Sequence, residues 1–485
     1  MAKHILIRAK YMIPLDDNRG RAQRIQDGYV LTDGATICEA GPWTAEAEAG
    51  ARKLGEDVRV IGQPPGAAAI PCLPGILLPG FIKAHGHDHE SPIIGIAKDQ
   101  PLTAWLDHAV NMFTGFMDER RNWLEHHFGR SPNLVTYLKA RVDDLSYGIT
   151  SCMVHHCNHN KYRVEELVEA NRMAGTKMRI AIGGQDRHYY PKILDTVNQA
   201  ISRLDQAWAA FGSEPRTWIL PGPDQLFSNG PEMLTALKRW AREHGTLLHV
   251  HSSEEPGTTR WFRQTYGETP VEYAHRIGVL DGQTVLAHQV NCQPHDLDLL
   301  QSSGAKIVHN PLANTILGSG MPPLIEMLNR GIPVAISTDG SGSADNQNII
   351  SAARLASQFQ KAFHQNASLL PAQQVLEMIT VVPAQILGLN TGSLAPGKDA
   401  DLVLLDIRPA NLVPTRLDNC VENIIWAANG SEIRYVVANG QLAVDDYKLV
   451  SLDAQKIIGD VQELSELLIE YMKEAEEIKG TGVHH

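Results

Sequence analysis

Short apolar runs that end in a polar residue recur through the middle of this 485-residue chain. They are Ile76 to His87, Ile149 to His155, Lys177 to Gln185, Thr217 to Asp224, Thr246 to His251, Thr284 to His288, Ala305 to His309 and Pro333 to Asp339. The runs are mostly apolar rather than alternating, the pattern of parallel strands buried on both faces, and most of the stretches between them are long enough for a crossover helix. Eight such units in a row predict an α/β fold built on a TIM-type (β/α)8 barrel.

In a barrel of this kind the site lies at the carboxyl ends of the strands. His85, His87, His155, Gln185, Asp224, His251, His288, His309 and Asp339 all fall there, so the pattern gathers them into one polar ring. On a strand, His85 and His87 would point to the same face and set two imidazoles side by side, a chelating arrangement. Alone, the segment with His85, His87 and His89 reads as readily as a polar loop. The downstream runs favour the metal reading.

The two ends of the chain differ from the middle. Residues 3 to 62 alternate strand-like runs with turn signals such as Asp33-Gly34 and Gly41-Pro42. Beyond the barrel, Gly392 to Leu405 is a turn followed by a strand, and Ile433 to Gly440 is a strand closing on an Asn-Gly hairpin signal. Neither end has enough strands for a stable sheet of its own. Residues 1–70 and 395–450 are therefore expected to form one small β-sandwich domain beside a 71–394 barrel, with the Pro/Gly-rich stretch 62–75 at the boundary. Residues 451–485 make a carboxyl-terminal helix and tail. Ile457, Val461, Leu464, Leu468 and Met472 share one helical face, which is expected to dock on its own domain, a subunit contact being the alternative. The final His484-His485 pair is set aside as a tag remnant.

Composition narrows the picture. A net charge of -12, with no run of Lys or Arg that could track a phosphate backbone, argues against a nucleic acid polymer. The six cysteines lie apart and form no Cys-x-x-Cys pair, as expected of reduced thiols in the cytoplasm. No signal pattern opens the chain, and no stretch approaches the roughly 18 apolar residues of a membrane span. The expected setting is cytoplasmic, without a membrane.

Several motifs together carry a family resemblance. They are Leu78-Pro79-Gly80 leading to His85-Gly86-His87, His251-Ser252-Ser253-Glu254, Leu286-Ala287-His288, His309-Asn310-Pro311 with Leu317-Gly318-Ser319-Gly320, Ser337-Thr338-Asp339-Gly340, and Gly392-Ser393-Leu394 leading through Pro396-Gly397-Lys398 to Asp401-Leu402-Val403. In order and spacing this set resembles the amidohydrolase superfamily. Within it, the chain is similar to the branch that contains cytosine, guanine and adenosine-type deaminases and the triazine hydrolases.

The resemblance implies that His85, His87, His251 and Asp339 bind one divalent metal per chain, a set that suits zinc, with iron the alternative. It implies that Asp339 accepts a proton from the attacking water, that His288 positions that water, and that Glu254 relays a proton to a ring nitrogen or the leaving group. Adjacent Glu255 competes for the last role, and spacing favours Glu254. Trp105, His155, Gln185, Asp224, Gln225 and His309 are the candidate substrate contacts. Trp105 either walls the pocket or packs in the core. The cluster from His155 to His159 binds substrate or water, with a second metal site the alternative.

Two departures bear on the substrate. Where adenosine-type deaminases of the branch have Ala-Pro-His, this chain has Gly222-Pro223-Asp224-Gln225, and Asn291 replaces the second histidine after His288. Both shift the expectation from a nucleoside to a free base. The expected activity is that of an aminohydrolase acting on non-peptide carbon–nitrogen bonds in cyclic amidines and releasing ammonia from an amino-substituted nitrogen heterocycle. The alternatives are displacement of chloride or an alkylamine from a triazine-like ring, or cleavage of an amide, urea or carbamate. A non-catalytic scaffold would have a broken ligand set, and this set is intact. The expected partners are a small heterocyclic substrate and further copies of the chain in a homo-oligomer.

Overall fold

The computed structural model describes residues 3–480, and the His484-His485 pair lies outside them. The amino-terminal strands are β1 (His4–Met12), β2 (Ile25–Asp33), β3 (Thr36–Pro42), β4 (Val58–Val60) and β5 (Leu73–Pro79). Short strands follow through the middle: β6 (Phe81–Lys83), β7 (Ile149–His156), β8 (Lys177–Ile182), β9 (Thr217–Pro221), β10 (Leu248–Ser252), β11 (Thr284–His288), β12 (Lys306–His309) and β13 (Val334–Ile336). The carboxyl-terminal strands are β14 (Leu402–Asp406), β15 (Ile433–Ala438), β16 (Gln441–Asp445) and β17 (Lys448–Leu449).

Strands from both chain ends join in one nine-stranded sheet of order β17-β16-β15-β14-β5-β1-β2-β3, with β4 on β1. The seam is β5, which pairs in parallel with β1 and antiparallel with β14, Leu77 standing opposite Leu404. β5 thus joins the two ends of the chain edge to edge within one sheet. Ile5, Ile7, Leu73, Leu77, Leu402, Leu404 and Val437 form one core. Leu6, Tyr29 and Leu31 form another with Ala47 and Ala51 of the helix Ala45–Lys53, whose first turn is capped by Thr44.

The middle strands form two four-stranded sheets, β6-β7-β8-β9 and β10-β11-β12-β13, in which every neighbouring pair is parallel. A parallel bridge from Gln225, just past β9, to His251 on β10 links them. Across the other gap, Ile336 and Ile82 donate backbone hydrogen bonds to Met378 (2.9 Å) and Ile379 (3.0 Å). Ile82, Met153, Ala181, Leu220, Val285, Val308 and Ala335, drawn from both sheets, pack in one cluster.

The first predicted strand, Ile76 to His87, is in fact two. Pro79 has no backbone donor, and at Gly80 the chain changes partners: Gly80 donates to Asp401 (2.9 Å) and Phe81 to Gly148 (2.9 Å). A Cβ on Gly80 would lie 2.2 Å from the Thr150 hydroxyl, so only glycine allows this crossing. His85 and His87 consequently sit in the turn after β6, with their rings 5.0 Å apart and nearly perpendicular rather than side by side.

Pro132–Ser146, Val164–Ala174, Val197–Phe211 and Pro231–Glu243 are among the helices that alternate with these strands. The long helix Ala454–Gly480 docks on its own chain, burying Leu464 and Leu468 against Ile93, Trp105, Phe113 and Phe116. Among the described residues no helix is long and apolar enough to cross a membrane.

Candidate metal centre and active site

A chain of hydrogen bonds determines which nitrogen each histidine can offer. His249 Nδ1 lies 3.0 Å from the Val285 carbonyl and must donate to it, which leaves His249 Nε2 as an acceptor. His85 Nδ1, 2.6 Å away, therefore donates to His249, and His85 Nε2 is left with a bare lone pair and no hydrogen-bond partner. On His251, Nδ1 donates to the Asp224 carbonyl at 2.6 Å, so its Nε2 is bare as well. That atom faces His87 Nε2 at 3.2 Å, and Asp339 Oδ1 lies 3.2 Å from His85 Nε2 and 3.5 Å from His87 Nε2. Burial lowers the proton affinity of all three imidazoles. Neutral rings and a carboxylate oxygen converging with too few protons to share among them form a donor set that a divalent cation fits.

Beside this set, His288 donates from Nδ1 to Asn314 Oδ1 at 2.8 Å, and its Nε2 lies 3.5 Å from Glu254 Oε2 and 3.6 Å from Asp339 Oδ2. The Asn314 amide also reaches His309 Nδ1 at 3.4 Å, and burial drives the proton affinity of His309 down to about 3. Burial, then the nearby charges of Asp339, Glu255 and Asp224, holds the Glu254 carboxyl well above the usual carboxylate range, which favours its acid form. Asn291, in place of the expected histidine, donates to the Glu254 carbonyl at 2.8 Å and so fixes the backbone of that residue. Both His288 (φ 76°) and Asp339 (φ 71°) occupy the left-handed region, a backbone cost that surrounding contacts must hold in place.

Glu255 turns the other way. Its carboxylate accepts from the Thr103 hydroxyl at 3.1 Å and the Thr103 amide at 3.3 Å, so it ties the loop after β10 to the turn that precedes Trp105 rather than standing free in solvent.

His87, Trp105, Asp224, Gln225, His251, Glu254, His288 and Asp339 line one pocket. Trp105 both walls it and belongs to the apolar cluster beneath the carboxyl-terminal helix. Gln185 is elsewhere: β8 ends at Ile182 before Gly183-Gly184, and the Gln185 amide is taken by Lys161 (2.9 Å) and the Cys157 carbonyl. His309 is reached through Asn314, and His155 packs on the His251 ring, 4.6 Å between centroids, with one of its nitrogens within 4.8 Å of ligand atoms of His85, His87 and His251. The pocket also contains Asn158, from the expected His155–His159 cluster, and Glu90 and Tyr189, which a strand-end pattern could not indicate because both come from loops. One Glu90 oxygen accepts from the Gly342 and Ser343 amides, both at 3.1 Å, and burial raises its carboxyl to about 8. The cavity is small, about 30 Å³, room for water. A second cavity of about 250 Å³ adjoins it across Leu102, Leu106, Tyr189 and Gln225.

An eight-strand parallel pattern with a cation-fitting set of histidines and an aspartate at its strand ends defines a metal-dependent hydrolase. The profile of the Amidohydrolase family matches residues 76–443, most of the chain, and the chain belongs to that family. It is 32% identical over 396 residues to the 5-methylthioadenosine/S-adenosylhomocysteine deaminase of Desulfovibrio desulfuricans, covering 81% of this chain and 85% of that one. It is 26% identical over 465 residues to the 5'-deoxyadenosine deaminase of Methanosarcina mazei, covering 96% and 98%. Among solved structures, the zinc-complexed atrazine chlorohydrolase of Arthrobacter aurescens TC1 shares the fold with a TM-score of 0.83 at 22% identity, over 95% of this chain and all of that one. The protein is thus an aminohydrolase, acting on carbon–nitrogen bonds.

The expectation of a free base finds no support among these relatives, whose names are those of nucleoside deaminases. It rested on Asp224 and Asn291 standing where histidines were expected. Here the Asp224 carbonyl orients His251, so the residue serves the metal set and does not by itself report on the size of the substrate.

Proposed function

We propose that this protein hydrolytically deaminates the amino-substituted ring of an adenosine-type nucleoside, with one catalytic zinc held by His85, His87, His251 and Asp339. We further propose that the two parallel sheets close into a single (β/α)8 barrel within the expected 71–394, and that the small β domain takes in β5 (Leu73–Pro79) along with 1–70 and 395–450, since β5 lies in its sheet. The cluster shared by both sheets supports the closure. The observation that carries the functional reading is the buried Glu254 carboxyl, placed 3.5 Å from His288 at the edge of the cation-fitting set. A divalent cation there supplies Lewis acidity that makes hydroxide available near neutral pH.

The protein's own groups account for the proton movements. His288 Nε2, a bare acceptor, orients the attacking water on the side facing Glu254 and Asp339. Glu254 donates its proton to the ring nitrogen next to the amino-bearing carbon, which makes that carbon electrophilic. As the new carbon–oxygen bond forms, Asp339 takes the proton lost by the water. That proton passes to the amino group, the carbon–nitrogen bond breaks as the carbonyl forms, ammonia leaves, and the proton of the new hydroxyl returns to Glu254. The loop carrying Leu102, Trp105 and Leu106 must shift for a purine to enter, since the inner cavity holds little more than water.

The test is ammonia release across adenosine, 5'-deoxyadenosine, S-adenosylhomocysteine, adenine, guanine and aminotriazines. The expected result is turnover of the nucleosides ahead of the free bases. Release of chloride or alkylamine from a triazine, with no ammonia from any nucleoside, overturns the reading.

A further inference from the structure

We propose that His155, Cys157 and Asp224 form a second metal site, beside the catalytic set, for a thiophilic divalent cation of the zinc type. One ligand atom from each lies within 4.8 Å of the other two, and all three residues are buried. His155 has no exposed surface and neither of its ring nitrogens has a hydrogen-bond partner; Asp224 Oδ2 is buried and unpartnered as well. A buried polar group left without a partner is destabilising, so unpartnered atoms gathered at one point call for a ligand.

The backbone is arranged for this close approach. At the end of β8, a Cβ on Gly183 would fall 2.6 Å from Cys157 Cα, and after β9 a Cβ on Gly222 would fall 2.7 Å from His155 Nε2. Glycine at both positions lets the end of β7 press against its neighbours and aim His155 and Cys157 inward. His155 stands between the two sites, within 4.8 Å of ligand atoms of His85, His87 and His251 as well as of Cys157 and Asp224, but the catalytic set does not need it, because His85, His87, His251 and Asp339 already supply four donors.

The donor types select the ion. A thiolate, an imidazole and a carboxylate suit zinc and disfavour magnesium or calcium, and three protein ligands leave one position of a tetrahedral shell open. Cys157 and Asp224 line the substrate pocket, so that position faces it. Binding releases the Cys157 thiol proton to solvent.

Cobalt(II) titration of the full-length protein, dialysed free of metal, tests the proposal. The expected result is uptake of two cobalt ions per chain. One gives only visible ligand-field bands, and the other adds a thiolate-to-cobalt charge-transfer band in the near ultraviolet. Cys157→Ser should keep the ligand-field bands of the catalytic site and lose the charge-transfer band, whereas Cys292→Ser should keep both. Saturation at one ion without the band, or a band that persists in Cys157→Ser, overturns the proposal. The wild-type spectrum alone decides if the serine variant does not fold. The ligand-field bands report the catalytic site independently of this outcome.

Discussion

His249 acts on a metal it would not touch. By accepting from His85 Nδ1 it turns the bare lone pair of His85 toward the other donors, and His249→Phe should weaken zinc affinity by about 10- to 100-fold, read by competition with a chromophoric chelator; an unchanged affinity would contradict the assignment. Glu254→Gln keeps the shape of the side chain and removes its proton, so kcat should fall by about 10² to 10⁴ at unchanged metal content. Glu255→Gln, which faces Thr103, should leave kcat within a few-fold, and a larger loss there would reverse the two roles. Because burial raises the Glu254 carboxyl, the acid form persists above the usual carboxylate range, and the proton-donating step is lost as pH rises through that raised value. The alkaline limb of the kcat profile should therefore be absent from Glu254→Gln. Glu254, His288 and Asp339 were legible in the sequence because each follows a recognisable apolar run. Glu90, Tyr189 and His249 were not: the first two stand in loops, and His249 reads as an ordinary strand residue until its neighbours are known. Gln185 was misplaced because the glycine pair before it ends the strand early.

Between elements, the turn that carries His85 and His87 is held from below by a fully buried ion network. Lys83 meets Asp144 at 2.8 Å and Asp88 at 3.3 Å, and Arg141 on the helix Pro132–Ser146 meets Asp144 at 2.9 Å and pairs with Asp88. Removing one charge strands the others in the interior, so Arg141→Met should cost about 3–5 kcal/mol, measured by denaturant unfolding, with weaker metal retention. A loss below about 1 kcal/mol would show that the network is dispensable. Strand positions were readable from apolar runs, since seven of the predicted runs overlap a single observed strand. The break at Gly80 was not readable, because Leu78 and Phe81 are equally apolar and only the change of hydrogen-bond partner separates them.

At the scale of the whole molecule, β5 joins the chain ends, and β14 covers what would otherwise be an open edge of β5. Limited proteolysis should therefore not release residues 395–450 as a separately folded piece; recovery of such a fragment would contradict the single small β domain. That the two ends belong together could be inferred from their similar strand character, but their union in one sheet depends on pairings the sequence does not encode locally. The central claim, zinc-dependent hydrolytic deamination, is tested most directly by one measurement: ammonia release from 5'-deoxyadenosine in heavy-oxygen water, by protein stripped of metal and then reloaded with zinc. No ammonia is expected from the stripped protein and, after reloading, one heavy oxygen in the product for each ammonia released. Ammonia at the full rate without metal, or product lacking solvent oxygen, would contradict it.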